Sequence, residues 1–137
     1  CEVMVGAVVI TQGKRAEALV EAAEAITGKA EGVRAVSVAS ADSTDGIRGA
    51  VLAAIKEADS GSGVVVFTDM FGGTPTNIAL SLMTDGRVEV ITGVNLPMLI
   101  KFVGRCKDKP LRELATVLRE YGQKSIVLAG EMLKEKG

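Results

Sequence analysis

Thr68-Asp69-Met70-Phe71-Gly72-Gly73-Thr74-Pro75-Thr76-Asn77 follows directly on the apolar run Val64–Phe67. This order reads as a buried strand that ends, turns through two glycines and enters a helix. Thr74 is placed to cap that helix and Pro75 to occupy its first position, where a missing N–H has no cost. Gly72 and Gly73 let backbone amides approach a ligand closely, and amides at a helix N-terminus attract anions. An acid at the strand end, Asp69, can orient a reactive neighbour. A strand–glycine–helix turn is also a common tight connection in α/β proteins, so the rest of the chain must give it meaning.

Working outward, the 137 residues suit one domain, 1–137, with residues 129–137 read as a C-terminal tail. Hydrophobic residues make up 47% but aromatic ones only 3%, so the core must consist of aliphatic side chains. Sixteen basic and 17 acidic residues are interspersed, giving a net charge of −1 and no basic stripe for nucleic acid. No apolar run is long enough to cross a bilayer and the start lacks a secretory pattern, which leads us to expect a cytoplasmic chain. Cys1 and Cys106 have no metal-type spacing and read as free thiols in a reduced compartment. For Cys106, flanked by Arg105 and Lys107, a buried inert thiol is the favoured reading over an activated one. The composition contains no histidine.

Hydrophobic periodicity then orders the elements. Met4–Thr11 is an almost unbroken apolar run, as expected of a central strand buried on both faces. Arg15–Thr27 places Leu19, Ala22, Ala23 and Ile26 on one helical face. Val33–Val38 is a second strand, and Ser43, Thr44 or Asp45 caps a helix bearing Ile47, Val51, Ala54, Ile55 and Ala58. Val88–Thr92 is a fourth strand leading to Asn95, which caps a helix with Pro97 in its first turn. Pro110–Tyr121 is a further helix with Leu111, Leu114, Ala115, Leu118 and Tyr121 inward and Gly122 as its stop. Ser125–Leu128 reads as a short fifth strand at an edge.

Strands alternating with helices predict a doubly wound α/β fold with a mostly parallel sheet of about four strands. Ligands in such sheets bind beyond the carboxyl ends of the strands, where strand order reverses. Gln12 after strand one, Asp69 after strand three and Gly93–Asn95 after strand four therefore converge on one crevice.

With both motifs in view, Asp69–Asn77 together with Ile91-Thr92-Gly93-Val94-Asn95-Leu96-Pro97-Met98-Leu99 resembles the mannose-type IIA domain of the bacterial sugar phosphotransferase system. The resemblance runs from about Met4 to Leu128. It implies a cytoplasmic dimer in which the last short strand, Ser125–Leu128 here, is exchanged between subunits. It also implies phosphoryl relay. A histidine after strand one accepts a phosphoryl group from the phosphocarrier HPr and passes it to a IIB domain, and the membrane is met only through IIC and IID components. The acid matching Asp69 orients the imidazole, while Thr11, Gly72, Gly73, Thr74 and Asn95 line the site. No metal or cofactor is implied.

At the acceptor position this chain has Gln12, in Ile10-Thr11-Gln12-Gly13. The glutamine amide, its nitrogen lone pair delocalised into the carbonyl, donates hydrogen bonds through N–H and accepts them at oxygen but is no phosphoryl acceptor. The expectation is a IIA scaffold with transfer disabled, whether Gln12 is natural or engineered. The alternative is a regulatory protein that engages HPr-like or IIB-like partners through the same crevice. A small flavodoxin-like ligand binder is a third reading, and an aspartyl phosphate on Asp69 is disfavoured because no neighbouring acids offer a magnesium site. Lys14 and Arg15 read either as a solvated helix start or as cations beside the crevice. Met70, Leu96, Met98 and Leu99 read as an apolar docking patch in part and as core in part.

Overall fold

A computed structural model describes residues 4–39 and 41–136. Cys1 lies outside that range. Four strands, β1 (Gly6–Gln12), β2 (Val33–Val38), β3 (Val64–Thr68) and β4 (Val88–Thr92), pair in parallel in the order β2-β1-β3-β4. β1 and β3 are buried on both faces, which explains their unbroken apolar sequence. The expected architecture is therefore the one observed.

Each crossover carries its helix to one side of the sheet. Helices α1 (Arg15–Thr27), α4 (Leu96–Arg105) and α5 (Leu111–Lys124) pack with Val9, Val65, Phe67 and Ile91 in one apolar layer. Helices α2 (Thr44–Ala58) and α3 (Thr74–Ser81) pack with Val8, Ile10, Val64 and Val66 in the other. Alternate residues of each strand thus serve opposite layers, as a period of two requires. Phe67 and Phe102 meet edge to face at 6.0 Å across the first layer. In the second, β1 runs so close to the end of α2 that a Cβ at Gly6 would lie 2.1 Å from the Ala58 carbonyl oxygen.

Several local expectations need correction. The inward face of α1 is built from Ala16, Leu19, Val20 and Ala23, whereas Ile26 is 63% exposed on the last turn. Ser43 is the cap of α2, accepting from the Gly46 N–H at 3.0 Å. Gly122 does not stop α5, which continues to Lys124. It is buried within the helix against Met98, and a Cβ there would fall 2.5 Å from Met98 Cε, which would have to swing aside. Tyr121 is 41% exposed, with the Lys101 ammonium 4.5 Å above its ring centroid.

Ser125–Leu128 forms no strand within this chain. Ser125 ends α5, and after residue 128 a short helix α6 (Ala129–Lys136) begins. A strand exists only by pairing with another, and no described segment of this chain pairs with it. Ile126, Val127 and Leu128 are consequently exposed, at 78%, 54% and 67%.

Candidate functional site

The chain runs from β1 outward to β2 in one direction and from β1 to β3 and β4 in the other, so strand order reverses between β1 and β3. Ile10 pairs with Thr68 across that seam. Gln12 lies two residues beyond Ile10 and Asp69 one beyond Thr68, which sets both at the carboxyl end of the same seam.

The β1–α1 turn is fixed from inside. Thr11 is fully buried, and its Oγ1 accepts a hydrogen bond from the Ala16 N–H at 2.7 Å. This replaces the side-chain cap that Lys14, the residue at the N-cap position, does not supply. Thr11 is thus a strut beneath the crevice. The Gly13 N–H donates to the Val38 carbonyl and tethers the turn to β2. Gln12 is exposed, and its side-chain amide forms no hydrogen bond among the described residues.

Across the seam, the β3–α3 turn departs from the expected capping. Gly73, in extended conformation, is the N-cap of α3, so Thr74 and Pro75 occupy the first two helical positions. Thr74 is exposed with an uncommitted hydroxyl, whereas the buried Thr76 does the fastening: its Oγ1 donates to the Met70 carbonyl at 2.5 Å. Of the two glycines, Gly72 adopts φ 102°, a conformation that side chains resist, while Gly73 is extended. Met70 and Phe71 at the turn's tip are 62% and 73% exposed. Met98 and Leu99 are core, each 3% exposed, so the apolar patch at the mouth is carried by the turn.

Asp69 is 25% exposed at its side chain and is held by a residue the sequence reading left undecided. The Arg15 Nη2 lies 3.2 Å from its Oδ2. The same guanidinium donates through Nε to the Gln12 carbonyl at 3.3 Å. One cation therefore joins the end of β1 to the acid after β3. With Arg15 65% exposed, such a pair contributes about 0–1 kcal/mol to stability, so its interest lies in what it occupies.

Asn95 caps α4 as expected, accepting from the Met98 N–H at 3.0 Å, and its Nδ2 also donates to the Gly122 carbonyl at 3.0 Å. Both ends of the amide are committed to structure. The Val94 N–H donates to the Thr68 carbonyl, which seats this loop against β3. Thr68, fully buried at the strand end, has a hydroxyl oxygen without a hydrogen-bond partner. At the opposite end of α4, the Cys106 thiol has its pKa raised by burial; Lys107 and a backbone hydrogen bond oppose the shift and Asp108 adds to it. This favours the inert reading. Among the described residues no cluster of histidine, cysteine or acid side chains is suited to a metal ion.

A groove of about 430 Å³ lies elsewhere, between the free edge of β4 and α5, lined by Glu89, Val90, Ile91, Arg112, Arg119 and Gln123 among others. It includes none of the crevice residues named above. The seam between β1 and β3 remains the candidate site because the reversal of strand order and the Arg15–Asp69 pair coincide there.

The family described as PTS system fructose IIA component matches residues 6–117, spanning both turns of the seam. The chain belongs to this phosphotransferase-system IIA family. It is 31% identical over 121 residues to the mannose-specific EIIAB component of Escherichia coli K12, a match covering 87% of this chain and 38% of that protein. The chain thus spans well under half of that relative's length. Against the fructose-specific EIIA component of Bacillus subtilis it is 27% identical over 133 residues, covering 96% of this chain and 91% of the other. The IIA fold is likewise that of the PTS IIA protein associated with the fucose utilization operon of Streptococcus pneumoniae, with a TM-score of 0.85, 26% identity and coverage of 97% and 98%. The mannose/sorbose-specific IIA subunit of Enterococcus faecalis gives a TM-score of 0.78 at 28% identity, covering 91% and 94%.

Proposed function

We propose that this chain is a IIA component of a sugar phosphotransferase system whose scaffold for phosphoryl relay is present and whose phosphoryl acceptor is absent. The observation that carries this reading is that an exposed Gln12 ends β1 and Asp69 follows β3 at the same end of one seam, in a sequence without histidine. An imidazole at position 12 would offer an in-plane lone pair to phosphorus at neutral pH, and the carboxylate would fix its tautomer and stabilise its cation. The Gln12 amide has no such lone pair. The Gly72–Thr74 turn, with its exposed threonine hydroxyl, supplies donors that would stabilise charge on the transferring oxygens. No residue here completes the transfer.

The partners in this reading are an HPr-like phosphocarrier and a IIB domain, engaged on the cytoplasmic side of a membrane entered only by IIC and IID components. No described helix is long and apolar enough to cross a membrane. The exposed Met70 and Phe71 beside the crevice favour a protein partner at this mouth, and they support the second reading, regulatory binding without transfer. Exchange of residues 125–128 between two copies is supported by the free edge of β4, the groove beside it and the exposed Ile126, Val127 and Leu128.

The test is incubation of the chain with enzyme I, HPr and phosphoenolpyruvate. Absence of acid-labile phosphate on the chain is expected, and labelling at the rate of a histidine-containing IIA protein would overturn the reading. For the dimer, truncation before Ser125 should weaken self-association in sedimentation, and an unchanged dimer would count against strand exchange.

A further inference from the structure

The cation at Asp69 has a consequence for the site that goes beyond the missing acceptor, and it rests on the reading just given. Asp69 can serve a residue at position 12 only as a negative charge with an accessible oxygen. Here Arg15 takes that charge, with Nη2 3.2 Å from Oδ2, and anchors itself through Nε on the Gln12 carbonyl at 3.3 Å. The side chain need not travel to make these bonds, because Arg15 is the first residue of α1 and the Thr11 hydroxyl fixes that turn through Ala16. The Gln12 amide forms no bond to Asp69 and does not compete for it.

We propose that Arg15 is a second determinant of the silent site, a positioning residue that engages one oxygen of Asp69 in an ion pair, so that restoring an imidazole at position 12 does not by itself restore a fully reactive one. A carboxylate partnered by a guanidinium still has lone pairs to offer, but part of its favourable field toward any further group is offset by the neighbouring cation. An imidazole at position 12 would lie beside Arg15 at the start of α1, with Lys14 in the same turn, and across the seam from an Asp69 already paired to that arginine. It would then be less basic than one facing the carboxylate alone, and its phosphoimidazolium-forming transition state would be less stabilised.

The experiment compares the full-length variants Gln12→His, Gln12→His/Arg15→Ala and Gln12→His/Arg15→Gln as acceptors from phosphorylated HPr. The midpoint of the introduced imidazole is followed in parallel by NMR titration. Both double variants are expected to be labelled about threefold faster than the single one, with the imidazole midpoint moved upward by about half a pH unit. Two replacements are used so that a folding defect in one does not decide the matter. Equal labelling of single and double variants, labelling of none, or an unmoved midpoint overturns the role of Arg15. Failure of the underlying reading is distinguished by the native chain, which in that case would itself be labelled.

Discussion

Replacing Asn95 with alanine separates structure from site more sharply than any other single change in the crevice region. The substitution deletes the acceptor for the Met98 N–H and the donor to the Gly122 carbonyl, each at 3.0 Å. Loss of the cap costs about 1 kcal/mol. Loss of the second bond, which links the start of α4 to α5, costs about 1 kcal/mol more. For 137 residues the unfolding entropy is about 0.29 kcal/mol/K, so the combined loss of about 2 kcal/mol lowers Tm by about 7 °C. Asn95→Ser, which keeps a capping oxygen and drops the link to Gly122, should lose about half as much. The assay is thermal unfolding followed by circular dichroism, paired with titration of HPr onto each variant at a temperature where all are folded. Alanine and parent proteins melting within about 1 °C of each other would refute the double commitment of the amide. Loss of partner binding with stability retained would return Asn95 to the site wall.

Other consequences can be tested in the same way. Gly6→Ala forces a methyl to within 2.1 Å of the Ala58 carbonyl oxygen, where backbone must move, and should cost about 3 kcal/mol. An unchanged denaturant midpoint would contradict the close approach of β1 and α2. Thr68→Val keeps the shape and removes a buried unpaired hydroxyl, so the variant should be as stable as the parent or more stable by about 1 kcal/mol; a clear loss in urea unfolding would mean the hydroxyl has a partner after all. Burial raises the pKa of Cys106, so the folded state holds that proton longer than the unfolded one. The associated stability is present below the unfolded thiol's pKa and declines as pH rises through the folded one. Alkylation of Cys106 at pH 8 should accordingly be slower than that of a free thiol, and equal rates would argue against its burial.

Much of the fold was legible because burial on both faces leaves a plain mark. The runs in β1 and β3 are apolar without alternation, and this identified central strands before any pairing was known. Asn95 was legible as a cap because its role is local, and the α2 cap was narrowed to Ser43, Thr44 or Asp45, whereas the cap expected at Thr74 falls one residue earlier, on Gly73. Interactions that depend on distance in sequence were not. Gly122 reads as a helix stop until Met98, 24 positions earlier, is seen to need the space its missing side chain leaves. Tyr121 and Ile26 fit the helical period yet lie on turns that face outward, since period alone does not say where the covering layer ends. Ser125–Leu128 has strand-like composition, but pairing is a property of two segments and composition alone does not say whether a second one is met; among the described residues none is. Within the site, the positions of Gln12 and Asp69 followed from topology. Thr76, which pins the β3–α3 turn, went unremarked because its acceptor is a backbone carbonyl six residues away, and Arg15 stood open between two readings until its partner was visible.

The side chain at position 12 is exposed and forms no hydrogen bond among the described residues, while its turn is held by Thr11, Gly13 and Ala16 and by Arg15 on the Gln12 carbonyl. Folding should therefore depend little on whether a glutamine or an imidazole stands there. A change from a reactive side chain to an unreactive one should leave melting temperature, expression level and the outline of the surface as they were, and partners that read only that outline would dock on either form. On the function proposed above, such a protein would accumulate and compete alongside a functioning relative without joining its chemistry, a property that only a count of phosphoryl groups transferred would expose.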